Sequence, residues 1–115
     1  MSRLYKPRRQ SSRWLDGDCP KGVLAIYDNR GQTADRYTVF YADPVAGTTY
    51  TDMYLGYRNM SENPFHPQGV GIYGELLAHQ AASFRYSQRH RACKWTDLPE
   101  RVRACVLQDL KGAST

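Results

Sequence analysis

Three apolar runs set close together constrain this chain more than anything else in it. "VLAIYDN" (23–29), "RYTVFYA" (36–42) and "TTYTDMYLGY" (48–57) are rich in β-branched and aromatic residues, which suit a pleated, half-buried surface. Turn chemistry separates them: "RGQTAD" (30–35) and "DPVAG" (43–47). Connections of six and five residues are too short for the crossover that parallel strands require. The runs therefore pair antiparallel, as a meander. In the third, Met53, Leu55 and Tyr57 share a face at period two.

The end of the chain supplies a partner for one face of that sheet. In "TDLPERVRACVLQDLKG", Leu98, Val102, Cys105, Val106 and Leu110 form an apolar stripe at helical spacing. Asp97 is placed to cap the helix, Pro99 fits its first turn, and Glu100 stands three residues past the cap. Gly112 is a stop. The expected fold class is α+β: a small antiparallel sheet of three or four strands with a C-terminal helix packed on it. A further helix is expected over 75–88, "ELLAHQAASFRYSQ", with Gly74 near its start. A chain of 115 residues makes one domain, expected over 22–112.

Residues 1–21 read as an arm, with Trp14 and Leu15 anchoring its end. Arg3, Lys6, Arg8, Arg9 and Arg13 place five positive charges in the first thirteen residues, with no acid. The remainder carries eleven basic and eleven acidic residues, so the net charge of +5 belongs to the arm. Such a segment suits a polyanion, because phosphate contacts release counterions; it equally suits a solvated tail. Three cysteines argue against a disulfide framework. No apolar run approaches the length needed to span a bilayer, and no secretory signal follows the arginines. The expected setting is reduced and cytoplasmic.

The segment "SENPFHPQGVGIYGE" (61–75) is the least ordinary. Pro64 and Pro67 bracket Phe65 and His66, and each fixes its own φ and biases its predecessor toward extended backbone. Gly69, Gly71 and Gly74 permit positive φ or close backbone approach. A stiff loop loses little entropy on binding. Asn63, His66, Gln68 and Glu75 add donors and acceptors, and Phe65 and Tyr73 offer rings for stacking. If this loop and the 30–35 connection meet at one end of the sheet, they build a pocket with Asp28, Asn29, Asp35, Arg36 and Tyr37. The competing readings are ordinary turn chemistry for Asp28, Asn29 and Asp35 and a surface ion pair for Arg36.

Taken in order, "IYDNRGQTADRYTVFY", "YLGYRNMSENPFHPQGVGIYGE" and "LPERVRACVLQDL" resemble blocks shared by a group of small bacteriophage and prophage proteins. The resemblance covers about residues 22–110 and leaves out the basic first thirteen. It implies a phage or mobile-element origin, and it carries no catalytic role with it.

Catalytic patterns are sparse. His90 and Cys93 make one His-x2-Cys pair, whereas structural zinc wants two close pairs, so no metal and no cofactor are expected. No Gly-x-Ser-x-Gly is present. Cys93 lies among Arg89, Arg91 and Lys94, which would lower its pKa, but no base is identified. Asp28, Asp35 and Glu75 are candidates for paired-carboxylate chemistry by position alone. "GVGIYG" spells G-x-G-x-x-G, yet a dinucleotide fingerprint needs that string between a strand and a helix. "FRYSQRHRACKW" (84–95) interleaves Arg85, Arg89, Arg91 and Lys94 with aromatics, a composition that contacts phosphates and stacks on unpaired bases.

Three functions follow from these features. The first is a non-enzymatic accessory protein that binds a host component, either a nucleotide-type ligand or a host protein, in counter-defence. The second is a nucleic-acid-binding protein using the arm and the 84–95 segment. The third is a small hydrolase or nuclease. An open sheet also leaves edges that a second copy can cover.

Overall fold

In the computed structural model, which describes residues 18–42, 54–77 and 91–113, each apolar run contributes a strand. β1 is Val23–Asp28, β2 is Tyr37–Tyr41 and β3 is Tyr54–Met60. β4, Gly71–Leu77, follows the proline-rich loop, and β5, Arg91–Ala92, is two residues long. The sheet order is β4-β3-β2-β1-β5, and every pairing is antiparallel. The meander is thus present; β3 runs on to Met60, past the expected end at Tyr57, and residues 48–53 of the expected strand lie outside the described residues. The sheet has five strands rather than three or four, because β4 and β5 carry almost no period-two signal of their own.

Register sorts the side chains onto two faces. Val23, Ile26, Tyr37, Val39, Tyr41 and Met60 pack with Trp95, Leu98, Val102, Cys105 and Val106. On the other face Ala25, Tyr27, Phe40 and Leu55 form a smaller cluster, with Tyr57 and Leu76 against it. Leu55 and Tyr57 therefore share a face as expected. Tyr27 meets Phe40 edge-on at 5.9 Å, and Tyr57 lies 5.5 Å from Phe40, a geometry aromatic rings favour.

The helix α1, Glu100–Ala113, follows a 3-10 turn, Trp95–Asp97. Its apolar stripe is the one expected, and all five residues lie in or against the core. Its start differs. Asp97 accepts the Lys94 backbone N–H at 3.3 Å and so closes the 3-10 turn instead of capping α1. The Pro99 carbonyl opens the helix by accepting the Val102 and Arg103 N–H groups at 3.0 Å. Gly112 lies inside the helix. The helix expected over 75–88 is corrected at its beginning: Glu75, Leu76 and Leu77 are strand, paired with Gly56, Leu55 and Tyr54. Gly74 starts no helix. It makes room for the Tyr57 ring, which would meet a Cβ there at 2.4 Å.

One polar group holds helix to sheet. Asp109, buried on the apolar face of α1, accepts hydrogen bonds from the Tyr41 hydroxyl (2.7 Å), the Tyr73 hydroxyl (2.6 Å) and Arg58 Nη1 (2.8 Å). The Arg58 guanidinium also stacks 4.3 Å from the Tyr73 ring centre. Burial acts against the Arg58 charge, and the Asp109 bond and charge overcome it, raising its pKa.

The basic residues Arg3, Lys6, Arg8, Arg9 and Arg13, the anchors Trp14 and Leu15, the 43–47 turn, Met53, Arg85 and Arg89 lie outside the described residues. Among the described residues no helix is long and apolar enough to cross a membrane.

Candidate functional site

The β1–β2 connection is organised by its own side chains. The Asn29 carboxamide oxygen accepts the Gly31 and Gln32 N–H groups at 2.9 and 3.1 Å. Its nitrogen donates to the Thr33 hydroxyl (2.7 Å) and the Asp35 carbonyl (3.4 Å). The Thr33 hydroxyl in turn donates to the Asp35 carboxylate. Arg30 and Gly31 both take left-handed backbone, with φ of 65° and 79°; Asp28 Oδ1 secures the first by accepting the Arg30 N–H at 2.7 Å. Asn29 and Asp35 are thereby committed to turn chemistry.

The β3–β4 loop is two tight turns placed end to end. The His66 N–H donates to the Asn63 carbonyl (3.2 Å), and the Gly69 N–H donates to the His66 carbonyl (2.8 Å). Pro64 and Pro67 each occupy the second position of a turn, where their fixed φ is favourable. The Asn63 side chain accepts the Phe65 N–H at 3.3 Å. Ser61 and Val70 close the neck, N–H to carbonyl at 2.9 Å, with the Ser61 hydroxyl accepting the Val70 N–H at 2.9 Å. The glycines here act by close approach: left-handed φ among the described residues falls at Arg30 and Gly31. The Gln68 N–H donates to His66 Nδ1 at 3.1 Å, so the neutral ring carries its proton on Nε2.

These two connections meet at Arg36. Its guanidinium grips Asp28 with two bonds, Nε to Oδ1 at 2.8 Å and Nη2 to Oδ2 at 3.1 Å. Nη1 crosses to Glu62 in the loop at 2.9 Å. The two carboxylates differ: the Asp28 side chain is 4% exposed and that of Glu62 is 65%. Burial pushes the Asp28 carboxyl up, but the hydrogen bonds from Arg36 and the Arg30 N–H, with the charges of Arg36 and Arg91, outweigh it and hold it below its usual range. The Asp28 hydrogen bond raises the Arg36 pKa further. Between the connections lies a cleft of about 530 Å³, walled by Gly31, Thr33 and Arg36 on one side and by Glu62, Asn63, His66 and Gln68 on the other.

A second cleft, of about 380 Å³, is also lined by Arg36. Asp28, Arg36 and Tyr37 form one wall, and Arg91, Lys94 and Asp97 the other. Arg36 also lies 5.2 Å from the centre of the Tyr37 ring, which is otherwise part of the core. Cys93 lines this cleft, and here the expectation of a lowered thiol pKa is overturned. The thiol is buried, and desolvation, with Asp97 and Asp28 nearby, pushes it up to about 12; its Sγ–H donates to the Lys94 carbonyl at 3.4 Å.

The remaining candidates fall elsewhere. Glu75 sits within β4 opposite Gly56 and lines neither cleft. Phe65 is half-exposed at the loop tip. "GVGIYG" runs into β4, so it opens no helix. Among the described residues no group of three or more His, Cys, Asp or Glu is placed to hold a metal. Sequence reasoning missed Glu62, although it is the lone carboxylate between Ser61 and Val70, and it missed Asp97 as part of a cleft wall. Comparisons with protein-family models, curated proteins and solved structures found no match to this chain.

Proposed function

We propose that this chain is a non-catalytic binding domain that takes a small nucleotide-type ligand in the cleft between the β1–β2 connection and the β3–β4 loop. The observation that carries this reading is the meeting of two self-braced loops at Arg36, 26 residues away from Glu62 in sequence. A pre-organised cleft loses little entropy when it is filled. Its size falls in the range of small-molecule sites. Asn63, Gln68 and His66 Nε2 present amide and imidazole groups suited to the edge of a heterocycle, and Arg36 supplies positive charge. Glu62 is a displaceable partner, since an exposed ion pair contributes only about 0–1 kcal/mol. With the resemblance to phage proteins, this supports an accessory role in the host cytoplasm, binding a host component rather than transforming it.

The test is purification from cells through a high-salt wash, followed by denaturation and mass spectrometry of the released small molecules. Wild-type protein is expected to release a nucleotide-type species, and His66→Ala protein is expected to release markedly less. A ligand-free protein that also shows no saturable binding across a panel of nucleoside mono-, di- and triphosphates would overturn the reading.

A further inference from the structure

We infer that the second cleft is a seat for an oligophosphate group, the diphosphate or triphosphate portion of a ligand. The inference extends the reading above to the anionic half of the same ligand, and it is tested separately.

Cationic side chains reach this cleft from three parts of the fold: Arg36 at the entrance to β2, Arg91 on β5 and Lys94 just after it. They face two carboxylates, and both are already engaged. Asp28 Oδ1 accepts from Arg36 Nε and from the Arg30 N–H, and Oδ2 accepts from Arg36 Nη2. Arg91 Nη2 stands 3.7 Å from Asp28 Oδ2, beyond hydrogen-bond distance, and its side chain is 58% exposed. Among the described residues none of its side-chain donors is hydrogen-bonded, which leaves them open to a ligand. Asp97 is occupied with the Lys94 backbone N–H. Among the described residues no carboxylate lies within 4.0 Å of the Lys94 ammonium.

Charge is therefore sorted between the clefts. The first offers amide and imidazole groups, and the one cation that lines it among the described residues, Arg36, is shared with Glu62. The second offers two under-used cations beside a third that is fixed in place. Arginine forks match phosphate oxygens two at a time, and lysine adds a point charge. Several phosphates in a row use all three cations, whereas a single carboxylate satisfies only one. Because Arg36 borders both clefts, a heterocycle in the first and its phosphates in the second share that arginine.

The experiment is calorimetric titration of the full-length protein with inorganic tripolyphosphate, without added metal. Saturable binding is expected, weakened about tenfold or more when Arg91→Ala and Lys94→Ala are combined, and largely retained in Lys94→Arg and in His66→Ala. Both truncated side chains are exposed, and an unchanged melting temperature confirms that the variants fold. No saturable binding, or binding unmoved by the double substitution and hence owed to the basic N-terminal segment, would overturn the seat. Nucleotides that bind no tighter than tripolyphosphate, and equally well to His66→Ala, would sink the first-cleft reading and leave the seat standing. A parallel titration with single-stranded oligothymidylate, whose phosphodiesters are single and separated by sugars, is expected to compete poorly with tripolyphosphate. Displacement of tripolyphosphate by the oligonucleotide, at affinity above that of any free nucleotide, would overturn the oligophosphate seat in favour of a nucleic-acid backbone.

Discussion

A methyl group at position 69 would sit 2.1 Å from the Asn63 carbonyl oxygen and 3.0 Å from that of His66. Both oxygens belong to backbone that the turns themselves hold, so neither can swing aside. Gly69→Ala is expected to cost about 1–3 kcal/mol, the usual range for forcing extra volume into a packed site, and to abolish binding in the first cleft. Thermal denaturation followed by circular dichroism, alongside a nucleotide titration, checks both; an unchanged melting temperature would contradict the geometry. The pair of tight turns went unread, but the stiffness of "NPFHPQG" was legible in its two prolines three apart. Glu62 was not, because what makes it matter is an arginine 26 residues earlier in the chain. No local pattern encodes that distance.

At the scale of elements, the dependence of α1 on its docking site can be measured at one position. Asp109→Ala removes the acceptor of three hydrogen bonds and leaves Arg58, whose side chain is 16% exposed, without its carboxylate. Breaking a buried pair from one side costs about 3–5 kcal/mol. Leu107→Ala, on the exposed side of the same helix, is expected within about 0.5 kcal/mol of wild type. Urea denaturation of the two variants makes the comparison, and equal losses would refute the assigned role. The helix stripe and the first three strands were readable because periodicity reports which face is buried. Asp109 also left a signal: it interrupts that stripe one position before Leu110, where an acid needs a partner. The start of the 75–88 segment misled because Leu76 and Leu77 fit a helix as well as a strand, while residues 78–88 lie outside the described residues. What decided the matter for Gly71–Leu77 was pairing with β3, and β5 is too short to have any period at all.

For the whole molecule, pH sets two limits of opposite sign. The Asp28 carboxyl is held below its ordinary value of 3.8, so the folded state binds that proton less tightly than the unfolded chain. Its contribution is present above about pH 4 and is lost as pH falls through and below that value. The Cys93 thiol is raised from 9.0 to about 12, chiefly by burial, and the Tyr73 hydroxyl from 10.0 to about 12, by burial and then its bond to Asp109. For both, the folded state holds the proton more tightly, so stability is intact below about pH 9 and is lost as pH rises toward 12. Urea midpoints measured across the pH range should show a plateau between these limits. Asp28→Asn should flatten the acid limb and Cys93→Ala the lower part of the alkaline one, and an acid limb unchanged by Asp28→Asn would contradict the assignment. Finally, the two clefts differ in the contour length of chain that closes them. β1 meets β2 through a short connection, Asp28 opposite Tyr37, while β5 reaches β1 only by bringing Arg91 back to Asp28 across 63 positions. Loop-closure entropy grows with that separation, and β5 contributes just two paired residues to offset it. The wall that carries Arg91 is thus the costlier one to assemble, and the first cleft is complete without it.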